Sequence, residues 1–286
     1  MTWSVTNTKI KEYSSDKNWD KSKQIWQAYN ETLDVTIPLM IYAPIDIRKC
    51  HKVIFSIHGR HRNGKYYRKL FTNIIRDSDG VMVIAPVFRD KKYQRSLALN
   101  MGNMINTIKK QKTTVDVPEN QWTFCALDEI FKILTKKYPN LKNYSIFGHS
   151  AGAQFAHRMA IFYNSNNLDR VVAVNPGWFT LIDNSIEFPY GIGDLFSNNK
   201  IKKILAKNVT IIAGEKDNQP DKYTRKTKRA VAQGKNRFEK AVNAIKVAQS
   251  TAEMLGTKCN WKLVKVKDLS HSPSAAAKVA VKYLGI

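Results

Sequence analysis

The sequence predicts an α/β protein: a mostly parallel central sheet with helices on both faces, carried by one domain spanning residues 1–286. Three observations lead there. Short β-prone runs alternate with stretches of helical composition along the chain, which is the pattern of a parallel sheet covered on both sides. One such run, starting at Tyr144, ends in Gly148-His149-Ser150-Ala151-Gly152 and passes at once into a helical stretch, Ala151 to Phe162. The length also suffices for one large buried core, without internal repeats or low-complexity tracts that would divide it.

Taken in order, residues 1–30 are polar and mixed and read as an arm or edge strand. Val35, Ile37, Leu39 and Ile41 alternate with polar or smaller neighbours, predicting a half-buried strand from Leu33 to Tyr42 that stops at Ala43-Pro44. Lys52 to Ile57 predicts a strand breaking at His58-Gly59, then a helix from Tyr66 to Ile75. Val81 to Ala85 is a buried strand closed by Pro86. A polar, basic connection runs from Arg89 to Val117, with a short helix inside it. Pro118-Glu119 opens a helix with Trp122, Cys125, Ala126, Ile130, Ile133 and Leu134 at helical spacing and lysines at its end. After the Ser150 turn come strands at Val171 to Val174, Asn208 to Ala213 and Trp261 to Val266, and helices at Asn236 to Leu255 and Ala275 to Tyr283. The segment from Gly177 to Lys207 is too short for a large lid domain, so an open cleft is expected.

Composition narrows the class. Apolar and aromatic content is that of a globular protein. No apolar run reaches membrane-spanning length, and Met1-Thr2-Trp3-Ser4 lacks the layout of a signal peptide, so a cytoplasmic protein is expected, although a chain trimmed of its leader would read the same. Cys50, Cys125 and Cys259 are far apart and odd in number, which argues against a disulfide framework and against a metal site. The formal net charge of +24 favours anionic partners.

Gly-x-Ser-x-Gly between strand and helix forces the serine into a strained turn that exposes its hydroxyl. It also aims the next backbone N–H at the place where a carbonyl oxygen becomes an oxyanion. Ser150 is therefore the candidate nucleophile, with the Ala151 N–H as one oxyanion donor. A serine hydroxyl needs a base, and the base needs a carboxylate. Only His157 and His271 follow Ser150. His157 falls inside the helix, whereas His271 lies in the loop between the last strand and the last helix, so His271 is the candidate base. Asp217, just past the strand ending at Ala213-Gly214, is the candidate acid, with Glu215, Asp221 and Asp268 as competitors. The Arg60 N–H, in the loop after Ile57, is the second oxyanion candidate. His58 is read as structural and His149 as a packing or rim residue at the substrate side. Trp178, with Phe179 and Tyr190 near it, is placed to line a substrate pocket.

His58-Gly59 with Arg62, the Gly148–Gly152 elbow, Asn175-Pro176-Gly177-Trp178, Phe188-Pro189-Tyr190-Gly191 and Gln233-Gly234-Lys235-Asn236-Arg237-Phe238 together resemble the α/β-hydrolase superfamily. Within it, the chain is similar over residues 50–286 to esterases of the polyhydroxybutyrate depolymerase kind. The resemblance implies Ser150, Asp217 and His271 as the triad; Arg62 is a candidate on the substrate side. Relatives often have a glycine-rich approach to the histidine and an acidic residue after it; here Ser270 and Ser272 flank it.

Basic residues crowd the same loops: Arg60, His61, Arg62, Lys65, Arg68 and Lys69; Arg89, Lys91, Lys92 and Arg95; Lys216, Lys222, Arg225, Lys226, Lys228 and Arg229. The reading is a serine hydrolase of carboxylic esters, without cofactor or metal, whose small-molecule or polymeric substrate is anionic. An amidase or a lysophospholipase is the nearest enzymatic alternative. The rival class is a basic protein on a hydrolase scaffold that docks on polyanions or anionic surfaces without turnover. No nucleic-acid recognition motif is present in the sequence, and the sequence does not speak to oligomeric state.

Overall fold

The computed structural model describes residues 3–7, 23–89, 91–93, 95–109, 112–219 and 223–286. Nine strands form one sheet in the order β1-β2-β3-β5-β4-β6-β7-β8-β9. They are β1 (Trp3–Asn7), β2 (Lys23–Asn30), β3 (Val35–Tyr42), β4 (Lys52–Ile57), β5 (Val81–Pro86), β6 (Asn143–His149), β7 (Leu168–Val174), β8 (Val209–Gly214) and β9 (Lys262–Val266). The first three pair antiparallel, β3 joins β5 antiparallel, and the strands from β5 through β4 to β9 are parallel. The predicted arm or edge strand is thus a two-stranded extension at the sheet edge; Asp221 and Lys222, named above, lie outside the described residues.

Eight helices accompany the sheet among the described residues: α1 (Gly64–Thr72), α2 (Ser96–Asn100), α3 (Thr123–Lys137), α4 (Ala151–Phe162), α5 (Asn198–Leu205), α6 (Lys228–Val231), α7 (Arg237–Met254) and α8 (Pro273–Ala280). The parallel strands are apolar on both faces because helices cover both. Val53, Phe55, Met82, Ile84, Val171 and Ala173 point into the larger core with α3, α4, α5 and α7. Their neighbours Ile54, Val81, Val83, Val172 and Val174 point into the smaller core under α1 and α8. Alternate residues of a strand face opposite sides, so one strand serves two cores.

Three elements differ from the sequence reading. The helix expected at Pro118 begins at Thr123. Glu119–Gln121 form a separate 3-10 turn, and Trp122 is extended (ψ 144°), its indole N–H donating to Val117 O at 2.7 Å. Helices α5 and α6 were not foreseen. Both are short and open on side-chain caps, Ser197 and Thr227, whose oxygens accept from the backbone N–H three residues on. Residues 177–197 fold down as loops rather than as a lid, with Phe179, Leu181, Phe188 and Tyr190 buried.

Candidate active site

The site lies beyond the carboxyl ends of β4, β6, β7, β8 and β9, where loops of a parallel sheet meet. At the end of β6, Ser150 has φ 58° and ψ −113°, a conformation that L residues rarely adopt. Its N–H donates to Val174 O at 3.0 Å and its carbonyl accepts from Gln154 N–H at 3.1 Å, tying the turn to β7 and to the first turn of α4. The flanking glycines are required by close approach. A Cβ on Gly148 would sit 2.1 Å from Gly152 O, and one on Gly152 would sit 2.2 Å from Ile57 O.

His271 Nε2 lies 3.0 Å from Ser150 Oγ, and His271 Nδ1 lies 2.5 Å from Asp217 Oδ2. The structure thus brings together the three residues singled out as nucleophile, base and acid, from three loops. Of the competing acids, Asp268 is exposed and ion-paired to Lys216 at 2.8 Å, and it is Asp217 rather than Glu215 whose carboxylate is bonded to the histidine. The other oxygen of Asp217 accepts from Arg237 Nη1 at 3.1 Å, both side chains being buried. Asp217 is therefore held from two sides, by the imidazole and by a guanidinium. Arg237, although it lies in a motif noted in the sequence, was not foreseen in that position.

Two further residues position these loops. Asn175, at the end of β7 with φ 50°, accepts from Gly214 N–H on Oδ1 at 2.8 Å and donates from Nδ2 to Ser270 O at 3.0 Å. It thereby joins the acid loop to the residue before the base. Gly214 itself packs so closely on Leu269 O that a Cβ would sit 2.1 Å away. On the other side, Tyr67 of α1 places its hydroxyl 3.3 Å from His149 Nδ1 and bonds the Gly59 backbone, linking the loop that carries Arg60 to the elbow.

The Ala151 N–H stands at the first position of α4, where no helical partner exists. Ala151 and Arg60 both border a cleft of about 650 Å³ that also includes Ser150, Gln154, Trp178 and Arg225. Trp178 lines it, whereas Phe179 and Tyr190 are buried behind it. His149 is buried outside the cleft lining, its ring 4.6 Å from that of His271. Burial, with the His271 and Arg237 charges nearby, pushes its pKa well below the usual histidine range. His58 is likewise buried: Nε2 accepts from Phe88 N–H at 3.3 Å and Nδ1 bonds Gly59 O at 2.9 Å, and burial pushes its pKa down to about 4. His157 packs inside α4, accepting from Thr180 N–H at 3.2 Å.

The predicted basic clusters separate in space. Arg60, Arg62, Arg225 and Arg237 border the cleft. Lys91, Lys92 and Arg95 line a separate hollow of about 360 Å³, and Lys65 and Lys69 lie on the outer surface of α1. Arg62 borders the cleft, but its Nη1 is engaged by Phe88 O and, at 2.7 Å, by Tyr93 O, and its Nη2 by Arg95 O at 3.2 Å. It fastens the loop after β5.

A serine hydroxyl touching an imidazole that touches a buried carboxylate can be deprotonated as it attacks an acyl carbon. No helix among the described residues is long and apolar enough to cross a membrane. Solved structures with this architecture include a poly(aspartic acid) hydrolase-1 from Sphingomonas sp. KT-1, with TM-score 0.80 and 28% identity over 87% of this chain and 94% of that one. The poly(3-hydroxybutyrate) depolymerase LpqC from Bordetella parapertussis gives 0.81 and 24%, over 91% and 88%. A siderophore hydrolase, EstA from Aspergillus nidulans, shares the fold at TM-score 0.56 and 12% identity, over 98% and 97%. No curated protein matches the chain. The family profile described as chlorophyllase matches residues 11–177, more than half of the length, and the chain therefore belongs to the chlorophyllase family of α/β-hydrolases.

Proposed function

We propose that the protein is a serine hydrolase that cleaves carboxylic esters through an acyl-enzyme, with Ser150 as nucleophile, His271 as base and Asp217 as acid. The observation that carries this reading is the continuous chain from Ser150 Oγ through His271 to Asp217, at 3.0 and 2.5 Å, on a strained turn at the mouth of an open cleft. In the first half-reaction Ser150 Oγ bonds to the ester carbon while its proton passes to His271 Nε2. The carbonyl oxygen becomes an oxyanion facing the Ala151 and Arg60 N–H groups, each worth on the order of a hundredfold in turnover. Collapse breaks the C–O bond, and the alcohol leaves with the proton from His271. In the second half-reaction His271 takes a proton from water as the water oxygen attacks the acyl carbon; the bond to Ser150 Oγ then breaks, His271 returns the proton to Oγ, and the acid is released. Asp217 keeps the imidazole in the tautomer with Nδ1–H and stabilises its cation.

The substrate is proposed to be anionic, and an extended chain fits the unlidded cleft. Arg60 and Arg225 on its walls support the first point. The poly(aspartic acid) and poly(3-hydroxybutyrate) hydrolases among the structural neighbours support a polymeric one. The test is turnover of aryl esters of graded acyl length by the wild type beside Ser150→Ala. Hydrolysis by the wild type alone, with a burst of released phenol, is expected; equal rates in the two proteins would overturn the reading.

A further inference from the structure

We infer that Arg225 is the carboxylate-recognising group of the cleft, so that the preferred ester carries a carboxylate beside its scissile bond. This rests on the hydrolase reading above and adds to it where the anion binds. Arg225 is half-buried and borders the cleft together with Ser150 and Trp178. Its orientation is fixed without any anion. Nε donates to Tyr190 Oη at 2.8 Å, and that hydroxyl shares a hydrogen bond with Thr227 Oγ1 at 2.9 Å. The guanidinium carbon lies 5.0 Å from the centre of the Trp178 ring and 5.6 Å from that of Tyr190. Among the described residues, no hydrogen bond or ion pair engages Nη1 or Nη2. The edge of the guanidinium that would grip a carboxylate bidentately is preset and open.

A second observation points the same way. Arg158, fully buried beneath the cleft, also packs on Trp178, 4.0 Å from the ring centre. Its Nε and Nη1 donate to Thr180 Oγ1, Asn100 O and Gln154 O, all neutral, and its Nη2 has no hydrogen-bond partner among the described residues. Asn100, Gln154 and Trp178 are themselves cleft residues. A guanidinium does not give up its proton in a protein, so this charge stays and is felt at the cleft wall. Two cations on one indole, neither bonded to a carboxylate among the described residues, leave a positive potential in a partly desolvated place. There, an entering anion gains more than it would in water. Arg237 is the contrasting case: its charge is matched by Asp217 at 3.1 Å. A planar carboxylate suits the open fork best; phosphate is the other oxyanion that the same chemistry could accept.

The experiment compares two matched pairs of esters. In one pair the charge is on the acyl side (aryl hemisuccinate against aryl butyrate); in the other it is on the leaving side (the acetate ester of 4-hydroxybenzoate against that of 4-hydroxybenzamide). The wild type is expected to favour the anionic member of at least one pair in kcat/KM, mainly through KM, and Arg225→Gln to lower that ratio about tenfold, the usual worth of a charge-assisted pair. Arg225→Lys, which keeps the charge and loses the fork, is expected to fall between. An unchanged ratio in Arg225→Gln overturns the inference. Binding of succinate and of inorganic phosphate to Ser150→Ala, with and without Arg225→Gln, reads the site without turnover. Succinate held more tightly than phosphate, and lost with Arg225, supports the assignment; phosphate alone, or neither, contradicts it. Turnover of neutral esters reports on the hydrolase reading separately, so the two can fail independently.

Discussion

The two walls of the cleft solve opposite problems. On the catalytic wall the side chains form a continuous chain of partners: Ser150 meets His271, His271 meets Asp217, and the remaining oxygen of Asp217 meets Arg237. Elsewhere in the cleft, Arg225, with Arg158 buried beneath, is held by neutral groups and an indole, and among the described residues no carboxylate bonds either guanidinium. A paired array fixes geometry and holds a proton path. An unpaired one stores potential for a ligand that is not yet there. On the proposed reading the difference separates chemistry from recognition within one cleft, and each part should be breakable without the other.

The largest effect is expected on the catalytic wall. Ser150→Ala should lower kcat for any ester by about four to six orders of magnitude while leaving succinate binding measurable by calorimetry. Loss of both would show that the walls are not separable.

Arg237→Leu sharpens the comparison, because it leaves Asp217 Oδ1 buried without its cation. One partner of a buried pair removed costs roughly 3–5 kcal/mol, so the melting temperature should fall clearly and kcat with it. A variant of unchanged stability would mean that this pair is not held in solution. Asn175→Ala removes the tie between Gly214 and Ser270. A fall of about tenfold in kcat with little change in KM is expected; a rise in KM alone would place Asn175 with recognition rather than positioning.

The smallest effect is on stability against pH, and it concerns the histidines beside the site rather than in it. His58 has a folded pKa lowered to about 4 by burial, below its unfolded value, and His149 and His157 are lowered by the same cause. The unfolded chain therefore binds more protons over this interval. Their contribution is complete above about pH 6.5 and is lost as pH falls toward about 4. His58 alone should remove on the order of 2 kcal/mol between about pH 7 and about pH 5. Denaturant melts at the two pH values check this, with His58→Asn as the variant whose slope should flatten.

Much of this was legible in the chain. The Gly148–Gly152 turn reads directly because its geometry is local: two glycines are needed where backbones approach, and strand and helix adjoin in sequence. His271 followed from being the remaining histidine in a loop at the right sheet edge. What did not read was partnership across long sequence separations. Nothing near Asp217 announces that Arg237 holds it, and Asn175 acts through a left-handed backbone and contacts on two other loops. Tyr67, far from the elbow in sequence, tethers it all the same. The charge clusters read as clusters, but not which cations are matched. Arg62 is engaged by carbonyls, Arg237 by a carboxylate, and Arg225 is left open, a distinction that only packing makes. The helix misplaced at Pro118 has a local origin instead: Trp122 stands in extended geometry, with its indole N–H bonded to Val117 O five residues back.

The central claim is that Ser150 is an activated nucleophile. Its most direct test is labelling with a fluorophosphonate and reading the intact mass, wild type beside Ser150→Ala. The account predicts a single adduct on the wild type, mapping to the elbow peptide and absent from the variant. No adduct across the neutral pH range, or an adduct that persists in Ser150→Ala, would contradict it.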